Sequence, residues 1–138
     1  MSKQYSVDLN IDISKLTPKS GLLMAQVEKD VDPRGFKERT APEVFAFVCT
    51  FAINGANPKC SYAQLQSFRR ISGMITKAAG SGVYVANKTD IDIIKNSIEG
   101  NRAWPNDDEI LNVLDAIMEK FKDAKEGVTP NGAGADTK

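Results

Sequence analysis

The sequence predicts an α+β domain, mostly helical, in which an N-terminal strand or hairpin precedes about four helices. Three observations carry this. Tyr5-Ser6-Val7-Asp8-Leu9-Asn10-Ile11-Asp12-Ile13-Ser14 alternates apolar and polar without a break, the period of a strand that buries one face. Two capping-box signatures, Thr40 with Glu43 and Ser61 with Gln64, each open a long stretch rich in apolar residues. Two further stretches begin with acids and carry apolar residues three and four positions apart, the helical repeat.

After the first strand, Thr17-Pro18-Lys19-Ser20-Gly21 is a breaker, and Leu22 to Val31 reads as either a second strand or a short helix. Asp32-Pro33-Arg34-Gly35 is turn chemistry. Thr40-Ala41-Pro42-Glu43 then starts a helix, with Pro42 in the first turn, where a missing N–H is no loss. Val44, Phe45, Phe47, Val48, Phe51 and Ile53 make it apolar nearly all round. Those residue types also suit a buried strand, but the cap, the length and the Asn54-Gly55 ending favour a central helix.

Ser61 opens the next helix, which runs to about Ala79 before Gly80-Ser81-Gly82. Leu65, Phe68, Ile71, Ser72, Ile75 and Ala79 project to one side; Gln66, Arg69, Arg70, Gly73 and Lys77 project to the other. Val83-Tyr84-Val85 is a short strand or an extended connector. Thr89 is the expected cap of a third helix, with Asp90 and Asp92 at the positive end of its dipole and Ile91, Ile94 and Ile98 on its buried edge. Trp104-Pro105-Asn106 forms a joint, after which Asp107, Asp108 and Glu109 begin a last helix. Its apolar face is Ile110, Leu111, Leu114, Ile117, Met118 and Phe121, and Lys120, Lys122 and Lys125 close it. From Gly127 onward the apolar surface needed to offset ordering is missing, so residues 1–126 form the expected single globular domain and 127–138 a flexible tail.

The chain has 138 residues, enough to bury one core without metals or disulfides. Its 18 bases and 18 acids cancel, but not evenly along the chain. Between Val44 and Thr89 stand Lys59, Arg69, Arg70, Lys77 and Lys88 and no acid, whereas Asp90 to Glu126 holds ten acids against five bases. The sequence carries neither a secretion signal nor an apolar run of bilayer length, so a soluble, cytoplasmic protein with no membrane contact is expected.

Histidine is absent, which removes the usual general base, metal ligand and nucleophile activator. Cys49, inside the most apolar stretch, reads as core, and Cys60, just before a helix start, reads as inert. The runs Asp107-Asp108-Glu109 and Asp90 with Asp92 stand at helix starts, where the dipole alone explains them, and the Gly80-Ser81-Gly82 order is the reverse of a phosphate-binding loop. No catalytic residue, cofactor, metal or small-molecule substrate is indicated, and a non-enzymatic binder is expected; a carboxylate-based enzyme is the least favoured class.

The candidate partner-binding residues are Arg69, Arg70, Gly73, Lys77 and Trp104. The bases can follow a phosphate backbone, with Gly73 admitting close approach, and Tyr62 and Tyr84 flank them as candidate base-stacking platforms. The plainer reading is a solvated face, or a block that neutralises the acidic C-terminal stretch within one fold or between subunits. Trp104 is either a plug over helix ends or an anchor for a partner.

The layout resembles small accessory proteins of tailed bacteriophages. It is carried by Tyr5 to Ile13, the run Val44 to Asn54, Ser61-Tyr62-Ala63-Gln64-Leu65, and Thr89-Asp90-Ile91-Asp92-Ile93-Ile94-Lys95 with Trp104-Pro105. The resemblance implies action by binding a host or viral protein in the host cytoplasm, and the apolar helix edges offer self-association into an oligomer as the other form of protein contact. A nucleic-acid binder that uses the basic helix face is the alternative. The turn region from Leu22 to Arg39 is longer than in that layout.

Overall fold

In a computed structural model, residues 3–18 and 21–126 are described, and they have the α+β, mostly helical architecture expected from the sequence. The stretch 127–138, the expected tail, lies outside the described residues.

The alternating N-terminal stretch supplies β1 (Gln4–Asp8), the middle strand of a three-stranded antiparallel sheet. β4 (Val83–Asn87) pairs on one side with Val7 opposite Tyr84, and β5 (Lys125–Glu126) pairs on the other with Tyr5 opposite Glu126. The ladder ends at Asp8, earlier than the alternation, because the Asp8 carboxylate accepts from the Asn10 backbone and side-chain amides and turns the chain. The burial period nevertheless continues: Val7, Leu9 and Ile11 are all buried. Leu9 N–H is satisfied by Gly82 C=O at 2.9 Å.

Within Leu22 to Val31 a short strand forms and no helix: β2 (Met24–Gln26) makes a hairpin with β3 (Phe36–Glu38). The turn is closed by Asp32, which accepts from the Arg34 N–H at 2.9 Å, and by Gly35 at φ +79°, a conformation that side chains resist. Arg39 ties this hairpin down, its backbone donating to Leu23 C=O and its guanidinium to Leu22 C=O at 2.8 Å.

α1 (Ala41–Ala56) and α2 (Tyr62–Ala78) begin where their capping boxes placed them. Thr40 N–H donates to Glu43 Oε1 at 2.8 Å and Ser61 N–H to Gln64 Oε1 at 2.9 Å, and each cap hydroxyl accepts in return. α1 is the central helix, flanked by α2 and by α3 (Lys88–Gly100). α4 (Asp108–Lys122) closes the core from the far side, with Phe121 edge-on to Phe45 at 5.5 Å between ring centres.

Four expectations are corrected. Asn87, not Thr89, caps α3: β4 passes into the helix with no loop, and the Asn87 side chain accepts from Asp90 N–H at 2.8 Å. Leu65 and Leu111 are exposed, because the buried arcs of their helices are filled by Phe68, Ile71 and Ile75 and by Ile110, Val113, Ile117 and Phe121. Tyr84 is buried and offers no stacking surface, while Tyr62 is exposed. Gly55 does not end α1 but lies inside it, where a Cβ would stand 2.9 Å from Asn101 Cγ; close approach, not a turn, requires the glycine.

Candidate functional site: the outer face of α1

α1 has more apolar side chains than one core can take. Val44, Phe45, Val48, Ala52 and Ile53 fill its inner side. Phe47 and Phe51, one turn apart on the other side, stay 38% and 39% exposed. Phe45 and Phe47 project about 200° apart, so the ring that meets α4 and the ring that meets solvent lie on opposite sides of one helix.

Two side chains dress this face without covering it. The Arg39 guanidinium lies 3.8 Å over the Phe47 ring, held there by the carbonyls it serves in the hairpin. Burial lowers its pKa from the ordinary value. Trp104 is half-buried, its ring centre 5.2 Å from that of Phe51, and its Nε1–H donates to Ile98 C=O at 3.0 Å. That bond satisfies a last-turn carbonyl of α3, which has no basic residue there. Trp104 therefore plugs the end of α3 and at the same time extends the α1 aromatic strip.

Beside Phe47 the surface sinks into a cleft of about 530 Å³ between the end of β3, the first turns of α1 and the last turn of α2, lined by Lys37, Arg39, Phe47 and Thr76. The Thr50 hydroxyl points into buried space there without a hydrogen-bond partner. Glu43 is the acid of this cleft, and it is occupied by the Thr40 cap. A second groove, about 440 Å³, runs between α2 and α3 and is lined by neutral groups such as Asn57, Gln64, Ser67 and Asn96.

The basic stripe predicted on α2 is divided by the fold. Arg69 and Arg70 project about 100° apart, and each reaches a different neighbour. Arg69 crosses to the outer face of α1, donating to Asn54 Oδ1 at 3.2 Å. Arg70 turns to α3 and makes a two-pronged pair with Asp90, 2.7 and 2.9 Å, which raises the arginine's pKa through those hydrogen bonds. Lys88 pairs with Asp92 at 3.3 Å. Lys77 is left on the solvent side, and a Cβ at Gly73 would meet nothing within 4 Å. The structure thus brings Arg69 and Trp104 to the α1 face and leaves Arg70 in a structural role.

Phe47, Phe51 and Arg39 were not singled out by sequence reasoning. A signal existed: an all-apolar helix with a single small core to fill must leave one side over. Among the described residues no group of three histidines, cysteines or carboxylates could hold a metal ion, and no helix is long and apolar enough to cross a membrane. Cys49 is buried, which pushes its thiol pKa up, and Cys60 is exposed. Comparison of the chain with protein-family models, with curated proteins and with solved structures gives no match.

Proposed function

We propose that this protein is a non-enzymatic interaction module that docks an acidic, amphipathic protein segment on the outer face of α1. One observation carries the reading: Phe47 and Phe51 are exposed as a pair and rimmed by Lys37, Arg39 and Arg69, while Glu43, the acid beside them, is already engaged. Aromatic rings and arginine are the residue types that concentrate binding energy in protein interfaces, and a basic rim selects an acidic partner. The resemblance of the sequence layout to small phage accessory proteins points to the same reading, of a viral protein that acts by binding in the host cytoplasm.

The nucleic-acid alternative loses its best residue, since Arg70 is held by Asp90. A backbone amide titration separates the two. An acidic amphipathic helical peptide should shift the amides of α1 and of Trp104, and a composition-matched scrambled peptide should not. Shifts instead at Gly73 and Lys77 with a DNA duplex, fading as salt rises, would transfer the function to nucleic acid.

A further inference from the structure

The acidic segment that fits this face is present in the protein itself. Along α4, Asp108, Leu111, Asp115 and Glu119 are spaced by three, four and four residues, so they form one stripe on the helix. All four are exposed, Leu111 by 54%, and among the described residues none of the three acids has a salt bridge. The neighbouring acid Glu109 is spent inside the fold, accepting from Thr17 N–H and Oγ1 at 2.9 and 2.8 Å. A base, Lys122, joins the stripe only in the last turn.

Charge and apolar character match between the two faces: aromatic rings within a basic rim on α1, a leucine among acids on α4. They cannot meet within one molecule. α4 packs by Phe121 against Phe45, on the side of α1 opposite Phe47 and Phe51, so its acidic stripe faces outward from the far side of the core. Each molecule therefore offers one receptor face and one ligand face, directed apart.

We infer, on the strength of the docking reading above, that the occupant of the α1 face is α4 of a second copy of this chain. Leu111 enters between Phe47 and Phe51, with Asp108 and Asp115 on either side of it opposite the bases at the two ends of the face, Lys37 and Arg69. Because the two faces differ, the contact is head-to-tail, and successive copies add to an open chain or a ring rather than closing as a two-fold dimer. Of the basic block between Val44 and Thr89, Arg69 serves this contact, while Arg70 and Lys88 are paired with Asp90 and Asp92 inside the molecule.

Two charge-reversed forms of the full chain test this by light scattering and sedimentation. Lys37→Glu with Arg69→Glu disables the receptor face; Asp108→Lys with Asp115→Lys disables the ligand face. All four positions are at the surface, and circular dichroism checks that both forms fold. The native chain should grow in mass with concentration and shrink as salt rises. Either variant alone should be monomeric, its association weakened about ten-fold or more. Mixed in equal amounts they should give a one-to-one dimer and nothing larger, since one good face of each remains. A native chain that stays monomeric at every concentration, or variants that assemble like the native chain, overturns the inference. If the native chain is monomeric while the acidic peptide still shifts the amides of α1, self-association fails and the docking reading stands; loss of both removes the docking face itself.

Discussion

Arg70 on α2 grips the carboxylate of Asp90, on the first turn of α3, with two hydrogen bonds of 2.7 and 2.9 Å. Asp90 is only 4% exposed, whereas the arginine side chain is 48% exposed. That asymmetry dictates which truncation hurts more. Arg70→Ala leaves a buried charge unpaired and should cost about 2 kcal/mol, less than for a pair buried on both sides. Asp90→Ala frees an arginine that water can reach and should cost about 1 kcal/mol. Urea midpoints at constant slope measure both.

Gly55 and Gly73 should respond in opposite directions to alanine. Gly55 faces the Asn101 side chain at a distance that no Cβ tolerates, so Gly55→Ala should destabilise by about 2 kcal/mol. Asn101→Ala in the same chain should recover part of that loss. Gly73 lies in the middle of α2 with open space around it, and Gly73→Ala should stabilise by about 0.5–1 kcal/mol. Thermal unfolding of the three variants is sufficient.

Acid should unfold the protein through its capped carboxylates. Asp8 is held below its ordinary range first by the Asn10 backbone N–H, and Glu43 first by the Thr40 N–H. The Arg34 guanidinium holds Asp32 down at about 2. Because folding lowers these pKa values, their stabilisation is complete above the unfolded carboxylate range of about 4 and is lost as pH falls through the folded values. Stability should be flat near neutral pH and decline below about pH 5. Carboxyl chemical shifts should show Asp32 titrating last. Glu43→Gln keeps a cap acceptor but removes a titrating group and should flatten the acid limb.

The two thiols should differ in kinetics. Cys60 is exposed and should react at once with a chromogenic disulfide; Cys49, buried in α1, should react only at the rate of unfolding. One fast equivalent in buffer and two in denaturant is the expected stoichiometry.

What the sequence displayed was local. Thr40 with Glu43 and Ser61 with Gln64 are contiguous capping boxes, and both helices start on them. The period-two burial of Val7, Leu9 and Ile11 was equally visible. β3 and β5, three and two residues long and exposed throughout, leave no periodic trace; they exist because β2 and β1 offer them edges. The Arg70–Asp90 pair spans 20 residues, and a helical projection of α2 alone sets Arg70 beside Arg69 on a solvent stripe. A clue was present in α3, where Asp90 stands four residues before Ile94 and eight before Ile98, an acid on the buried arc. The α1 face was hidden for a different reason. Pattern shows that α1 is apolar all round, but only the packing of α4 on Phe45 decides that Phe47 and Phe51 are the rings left outside.

Phe47→Ala and Phe51→Ala should separate binding from folding. Both rings are over a third exposed, so each truncation should cost about 1 kcal/mol of stability or less, well under the about 3–5 typical of a buried phenylalanine. Each should nevertheless weaken association more than ten-fold, about 1.4 kcal/mol or more, if the rings are the anchors of the docking face. Sedimentation beside thermal melts distinguishes the two effects.

The most direct single measurement is a dilution series of the native protein followed by backbone amide shifts. The head-to-tail contact predicts that Phe47, Phe51 and Asn54 on one face and Asp108, Leu111 and Asp115 on the other move together along a single binding curve. Amides that stay fixed on dilution, or that move only at the β2–β3 hairpin or around Lys77, would contradict it.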